Sequence, residues 1–531
     1  MQKKDSFSKL LVVIPAIKKN AVIPDQLIKK LNGITLIQRA INTASEVVKK
    51  ENILVVTDSI EISLICERND IKYYLDKELN LVSENILEVV NNIVKNSLET
   101  DILIYRANTP LVDSNLLKDA YLEFTKDSRF ILGSFKQKQK KVFIIEEENF
   151  KRVPQKNLLQ EIKAFYIFNK NHFKEMLFKP FLIENEKSIE IDGYQSWWVC
   201  EKVLQRKRLV FNVIGDTKIG MGHIYHSLAL AHEITDHEVI FICDEKYSLA
   251  VNQIATKDYQ VYPTKNTLET ILELNPDLVI NDILNTDKEF IKTIKNNNIK
   301  VVNFEDLGEG SKYADLVFNE LFDEPQLEGE NYLWGHEYLA LRDEFYEATP
   351  HSMIEQIDTV LITFGGTDQN NLTLKTLKAI LPICKRNSIN INIVCGSAYD
   401  FKSELEEFLD SCDYKNINLT YASGVISKIM EKSQLAIASN GRTVYELADM
   451  NIPSIIISHH EREATHTFAT LDKGFINLGV VSSEIEIKIE EKFEKLISDR
   501  DYRELLFMNI KKYSFRENKQ KVVKKIMELL N

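Results

Sequence analysis

Short apolar and β-branched runs alternate with amphipathic helical stretches along almost the whole chain. The runs fall at 11–14, 53–57, 102–105, 209–214, 239–243, 278–280, 301–304, 359–364, 391–395, 435–439 and 454–457. Most are continuously apolar, as strands covered on both faces must be, and their interleaving with helical periodicity predicts α/β domains with parallel sheets. Ligands of such sheets bind beyond the carboxyl ends of the strands, so chemistry is to be sought just after each run.

The chain has 531 residues, more than one hydrophobic core usually organises. The helical pattern through Glu201-Lys202-Val203-Leu204-Gln205-Arg206-Lys207-Arg208 runs straight into a new strand-turn-helix unit, which places a boundary there and a first domain at 1–207. Glu347-Ala348-Thr349-Pro350-His351 breaks the pattern again and divides the remainder into lobes at 208–350 and 351–531. The Lys-rich end, 516–531, reads as an amphipathic helix that packs back on a lobe.

Composition narrows the partners. Hydrophobic residues make up 44% and charged residues 27%, and no window approaches the roughly 18 apolar residues of a membrane span. The apolar run at 10–15 is too short for a signal peptide and is expected to be the first strand. A net charge of -12 argues against a nucleic-acid surface and for small-molecule substrates. The six cysteines lack metal-ligand spacing, which fits reduced, mostly buried thiols in a cytoplasmic protein and implies no structural metal. The sequence carries no signal for an oligomeric state.

The candidate chemistry centres on Gly220-Met221-Gly222-His223, a glycine-bearing turn between a strand and a helix. The glycines let a ligand approach the backbone. The positive end of the helix favours a neutral imidazole at His223, which could serve as a base. Two further turns follow strands: Phe364-Gly365-Gly366-Thr367-Asp368, whose amides could meet a phosphate, and Ser439-Asn440-Gly441-Arg442-Thr443-Val444-Tyr445-Glu446. In the second, the first helical amides could hold a diphosphate while Glu446 reaches ribose hydroxyls.

Taken together, GMGH with its Leu-Ala-Leu-Ala helix, FGGTD and SNGRTVYELA resemble the UDP-2,4-diacetamido-2,4,6-trideoxy-β-L-altropyranose hydrolases of pseudaminic-acid biosynthesis. Asn281-Asp282, Phe304-Glu305-Asp306-Leu307-Gly308, Tyr313-Ala314-Asp315-Leu316 and Leu339-Ala340-Leu341-Arg342-Asp343-Glu344-Phe345 extend the likeness over nearly all of 208–531. It implies a two-lobed GT-B-like module without a cofactor, in which His223 positions or deprotonates the water that attacks the anomeric carbon and releases UDP. Gly365, Gly366, Ser439, Gly441, Thr443 and Glu446 would surround the nucleotide; Gly222, Thr367, Asn440 and Arg442 in the same turns join them as candidates. Asp216, Asp282, Asp306 and Glu461 are candidate substrate contacts. The sequence departs from the family at His226, where arginine is usual, and at His459-His460-Glu461-Arg462-Glu463, so the sugar is left open.

The first domain resembles the cytidylyltransferases that activate sialic-type acids, through Val12-Val13-Ile14-Pro15-Ala16, Leu31-Asn32-Gly33-Ile34-Thr35-Leu36-Ile37, Val55-Val56-Thr57-Asp58-Ser59, Arg106-Ala107-Asn108-Thr109-Pro110-Leu111-Val112-Asp113 and Ile189-Glu190-Ile191-Asp192. A Rossmann-like nucleotidyltransferase fold is implied, with CTP, a nonulosonic acid and Mg²⁺ as ligands if the domain is active. Strand alternation would place Glu190 and Asp192 on one face, able to share the cation. The phosphate loop at 17–27 has no glycine, however, and Asn108 replaces a customary aspartate. A binding, scaffolding or dimerisation role is therefore the expectation, against CMP transfer through repositioned Lys18 and Lys19. For the whole chain the leading reading is a UDP-sugar hydrolase. A glycosyltransferase with a UDP-sugar donor and a non-enzymatic nucleotide-sugar scaffold stand as alternatives.

Overall fold

The computed structural model describes residues 7–18, 22–76, 85–137, 142–146, 149–153, 158–173, 177–216, 220–352, 356–396, 398–421 and 424–530. Two compact units divide the chain, Met1–Arg206 and Lys207–Asn531.

The first unit is built on β1 (Leu10–Ala16), β2 (Ile53–Thr57), β3 (Lys72–Leu75), β4 (Asp101–Tyr105), β5 (Phe130–Gln137), β6 (Leu159–Asn169) and β7 (Leu177–Leu182). Among the described residues these form one sheet in the order β7-β5-β6-β4-β1-β2-β3. The strands β4-β1-β2-β3 are parallel, whereas β6 runs antiparallel to both its neighbours. The continuous apolar run of β1 is explained by burial on both faces: Leu10, Val12 and Ile14 enter one core, Leu11 and Val13 the other.

The second unit holds two sheets, both entirely parallel. The first lobe uses β8 (Arg208–Val213), β9 (Glu238–Asp244), β10 (Gln260–Thr264), β11 (Leu278–Asp282), β12 (Lys300–Phe304), β13 (Leu316–Asn319) and β14 (Tyr332–Trp334), in the order β10-β9-β8-β11-β12-β13-β14. The second uses β15 (Thr359–Thr363), β16 (Asn390–Cys395), β17 (Ile417–Tyr421), β18 (Leu435–Ser439), β19 (Ser454–Ser458) and β20 (Phe475–Val480), in the order β17-β16-β15-β18-β19-β20. Both begin with the doubly wound 3-2-1-4-5-6 order, whose reversal opens a crevice at the carboxyl ends of the first and fourth strands. The fold is α/β throughout, with one mixed sheet in the first unit and two parallel sheets of doubly wound order in the second.

Period-two sorting recurs in both lobes. Leu209, Phe211 and Val213 of β8 face one core while Val210 faces the other, and Val360 and Ile362 of β15 oppose Leu361. The C-terminal helix, Asn518–Glu528, returns to the first lobe, where Val522 and Ile526 join the core with Phe318 and Ala340. Its Lys519, 2% exposed, is paired with Glu233 and Asp343. The six cysteines form no disulfide, and all but Cys412 are buried. No helix among the described residues is long and apolar enough to cross a membrane.

Candidate functional site

The turn after β8 and the end of β11 meet at the first lobe's switch point, because these strands are neighbours with Val213 opposite Asp282. Here begins α1 (Gly222–His232), with Gly222 exposed and His223 buried one residue further in. Gly215 fixes the entry: a Cβ there would lie 2.8 Å from Ile224 Cγ1. Residues 217–219 of this turn lie outside the described residues. Asp216 bridges back to Gly220 through its backbone.

Asp282 is fully buried and organises the histidines. One carboxylate oxygen meets His223 Nδ1 at 2.6 Å; the other meets His226 Nδ1 at 2.7 Å and accepts from Ser227 Oγ at 3.0 Å. Asp282, expected as a substrate contact, thus has both carboxylate oxygens engaged by internal partners and is fully buried. Burial alone would raise its pKa, but the two imidazoles hold it well below the ordinary carboxylate value. For His223, burial pulls downward, yet the charge and hydrogen bond of Asp282, reinforced by Glu305, leave the imidazole above its ordinary value. The helix-end argument for a neutral His223 is therefore outweighed, since a carboxylate in contact acts more strongly than the partial charge of a helix terminus. The Asp282 bond occupies Nδ1 and leaves Nε2 as the ring nitrogen to address a ligand.

Asp306, another expected substrate contact, is likewise buried. Its buried carboxylate binds Thr286 Oγ1, Asn303 Nδ2 and the amides of Thr286 and Gly308. Asn303 belongs to a buried ladder, Asn212 to Asn281 to Asn303, with successive 2.9 Å bonds across β8, β11 and β12. The ladder ties together the carboxyl ends of the strands that carry the site.

The second lobe has its own switch point, where β15 and β18 lie side by side and lead into 364–368 and 439–443. Gly365 has φ 75°, a conformation that favours glycine. A Cβ on Gly366 would lie 3.6 Å from Gly220 Cα, so the glycine turns of the two lobes face each other at close range. Gly396, after β16, is packed on the same turn, where any Cβ would collide with Gly366 O. Thr367 is half-buried, and the neighbouring Asp368 caps α2 (Leu372–Asn387) by accepting from the amides of Leu372 and Thr373. Ser439 and Asn440 are buried, and Asn440 binds the backbone at Glu463 and His466. Gly441 and Thr443 are half-buried at the start of α3 (Thr443–Asp449). Glu461 is exposed after β19, on the same end of the sheet.

Two expected nucleotide contacts are engaged elsewhere. Glu446 accepts from Arg342 Nε at 2.7 Å and is buried, so it is not turned to a ribose. Arg442 reaches into the first lobe, where its Nη2 meets Glu305 at 2.7 Å and Glu320 at 2.6 Å. Glu320 also lies 3.8 Å from His226 Nε2. Glu305, Glu320, Ser227 and Arg342 were not among the candidates. The available signal was the Asn-rich polar ending of successive strands, Asn281-Asp282, Asn303 with Glu305 and Asp306, and Asn319-Glu320.

In the first unit, Lys18 pairs with Asp25 at 2.9 Å and with Glu61, and its amide binds Asp58. Lys19 lies outside the described residues. Glu190 and Asp192 lie in an irregular segment before the helix Tyr194–Gln205, not in a strand, which removes the alternation argument for a shared cation. Glu190 accepts from Asn108 at 2.8 Å and pairs with Arg106 at 3.1 Å, while Asp192 accepts from Ser196 at 2.8 Å. These pairings do not fit two free carboxylates on one Mg²⁺. No cluster of three or more His, Cys, Asp or Glu suited to a metal ion occurs among the described residues.

Residues 11–198 match the Cytidylyltransferase family model, so the first unit is cytidylyltransferase-like. Over 272 residues the chain is 32% identical to the uncharacterized protein MJ1062 of Methanocaldococcus jannaschii, covering 46% of this chain and 54% of that one. It thus spans about half the length of that relative. Over 270 residues it is 26% identical to the spore coat polysaccharide biosynthesis protein SpsG of Bacillus subtilis, covering 48% of this chain and 79% of that one. Among solved structures it is similar to MurG of Acinetobacter baumannii, at 15% identity and a TM-score of 0.45 over 61% of this chain and 99% of that one.

Proposed function

We propose that residues 207–531 form a nucleotide-sugar enzyme that hydrolyses a UDP-diacetamido-trideoxyhexose, with His223 as the base. The observation that carries this reading is the contact of His223 Nδ1 with buried Asp282 at the carboxyl ends of the parallel strands, directly after the Gly220 turn that Gly366 approaches. Asp282 fixes the ring and stabilises the imidazolium that forms when Nε2 takes a proton from water. Water attacks the anomeric carbon, the bond to the diphosphate oxygen breaks, and UDP leaves toward the backbone amides of 365–367 and 439–443. The similarity to SpsG, named for polysaccharide biosynthesis, is in keeping with a sugar-nucleotide substrate.

An acceptor hydroxyl could replace water before the same base, which makes a glycosyltransferase the second reading. The facing glycine turns favour a nucleotide sugar in either case. The first unit, with Lys18 held by Asp25 and Glu61, serves in this reading to bind or scaffold, without CMP transfer. The test is incubation of the full chain with UDP-diacetamido sugars without acceptor, and separately with CTP, Mg²⁺ and a nonulosonic acid. UDP release in the first and no pyrophosphate in the second are expected. UDP release that requires an added acceptor replaces hydrolase by transferase, and pyrophosphate release overturns the inert first unit.

A further inference from the structure

We infer that Arg442 is a positioning residue that holds Glu305 and Glu320 of the first lobe beside the His223 and His226 pair and thereby couples the nucleotide-facing turn to the base. This rests on the reading of His223 as the base, and its test needs no substrate.

The geometry is specific. Arg442 lies in the turn between β18 and α3, yet its Nη2 crosses to the other lobe and meets both glutamates, at 2.7 and 2.6 Å. Those glutamates follow β12 and β13, the strands beyond β11, whose last residue is Asp282. A chain of contacts results: Arg442 to Glu320, Glu320 to His226 Nε2 at 3.8 Å, His226 to Asp282 at 2.7 Å and Asp282 to His223 at 2.6 Å, while Arg442 also holds Glu305, whose charge acts on His223.

Asp282, Glu305 and Glu320 are nearly or fully buried. Three carboxylates crowded out of water repel one another unless positive charge is shared among them, and Arg442 is the permanent cation present. Glu320 Oε2 and His226 Nε2 are buried without a hydrogen bond. The titratable and charged groups facing His223 are Asp282 from β11, Glu305 from the turn after β12 and Arg442 from the second lobe. His226 and Glu320 act through Asp282 and Arg442, and His466 acts on Glu305.

The experiment follows the imidazole signal of His223 by NMR as a function of pH in the full chain, assigned by its loss in His223→Gln. In Arg442→Gln the midpoint is expected to rise by about one pH unit, because a nearby cation is removed and two carboxylates are left uncompensated. Arg442→Lys restores most of the wild-type midpoint. Should Arg442→Gln not fold, Glu305→Gln provides the opposite arm, a lowered midpoint. An unmoved or oppositely moved midpoint in either folded variant overturns the coupling and leaves the proposed hydrolysis untouched. Failure of UDP release with the midpoints shifted as stated sinks the hydrolase reading alone.

Discussion

Lys18 and Asp282 occupy comparable places, each at or just beyond the carboxyl end of a strand that pairs in parallel with its neighbours, yet their electrostatic settings differ. Lys18 sits among carboxylates that water also reaches: its own side chain is 25% exposed and that of Glu61 62%. Asp282 is at 0%, bound to two histidines and a serine in a pocket that also contains two glutamates and an arginine. Exposed ion pairs form cheaply and carry little information about function, whereas buried charges must be compensated at considerable cost. A cluster of that kind at a switch point is where perturbed protonation and chemistry coincide. A buried, compensated charge cluster is the ground on which the proposed chemistry is placed in the second unit.

The sharpest way to break the contrast is His223→Ala, for which turnover of the UDP-sugar should fall by about 10²–10⁴-fold, measured as UDP release, with the far-ultraviolet circular dichroism unchanged. Next comes Asp282→Ala, which strands both imidazoles. It should lower stability by about 3–5 kcal/mol in urea unfolding and abolish most turnover as well. Loss of activity without loss of stability would mean that Asp282 is not the buried hub described.

The pH dependence of stability sharpens the comparison further. Asp282 and Glu305 have depressed folded values, so their contribution is present above the unfolded carboxylate range and lost as pH falls through the folded values, below about pH 4. His223 is raised, so its contribution is complete below an unfolded value of about 6.5 and is lost as pH rises through the folded one. Glu320, also raised, contributes fully below the unfolded carboxylate value and loses that contribution as pH rises through its folded value, so it tilts the curve downward from about pH 4 upward. Urea midpoints should therefore peak between those limits, and His223→Gln should flatten the alkaline arm. The smallest effect belongs to Lys18→Ala, which should leave both UDP release and the thermal midpoint at wild-type values; a clear loss of either would assign the first unit a larger part.

The strand cores were legible because burial on both faces writes itself as continuous apolar runs; β2 and β18 coincide with runs 53–57 and 435–439. The His223 turn was legible for a similar reason, since glycines and a histidine directly after such a run stand out. Its partners were not. Asp282 lies 59 positions from His223 and Glu320 lies 122 from Arg442, separations closed only by the order in which strands enter the sheets. Local pattern likewise could not show that Glu446 turns to Arg342, because a helix-start acid looks the same whether it faces a ribose or a guanidinium. The error at Glu190 and Asp192 came from reading alternation into a segment that pairs with no strand.

The central claim, that His223 is the base of a UDP-sugar hydrolase, is tested most directly by UDP release from UDP-diacetamido sugars in the absence of any acceptor, wild type beside His223→Ala. Sustained release by the wild type, slowed at least about 10²-fold in the variant, is the result predicted. Equal rates in the two proteins, or no release from any of these sugars, would contradict it.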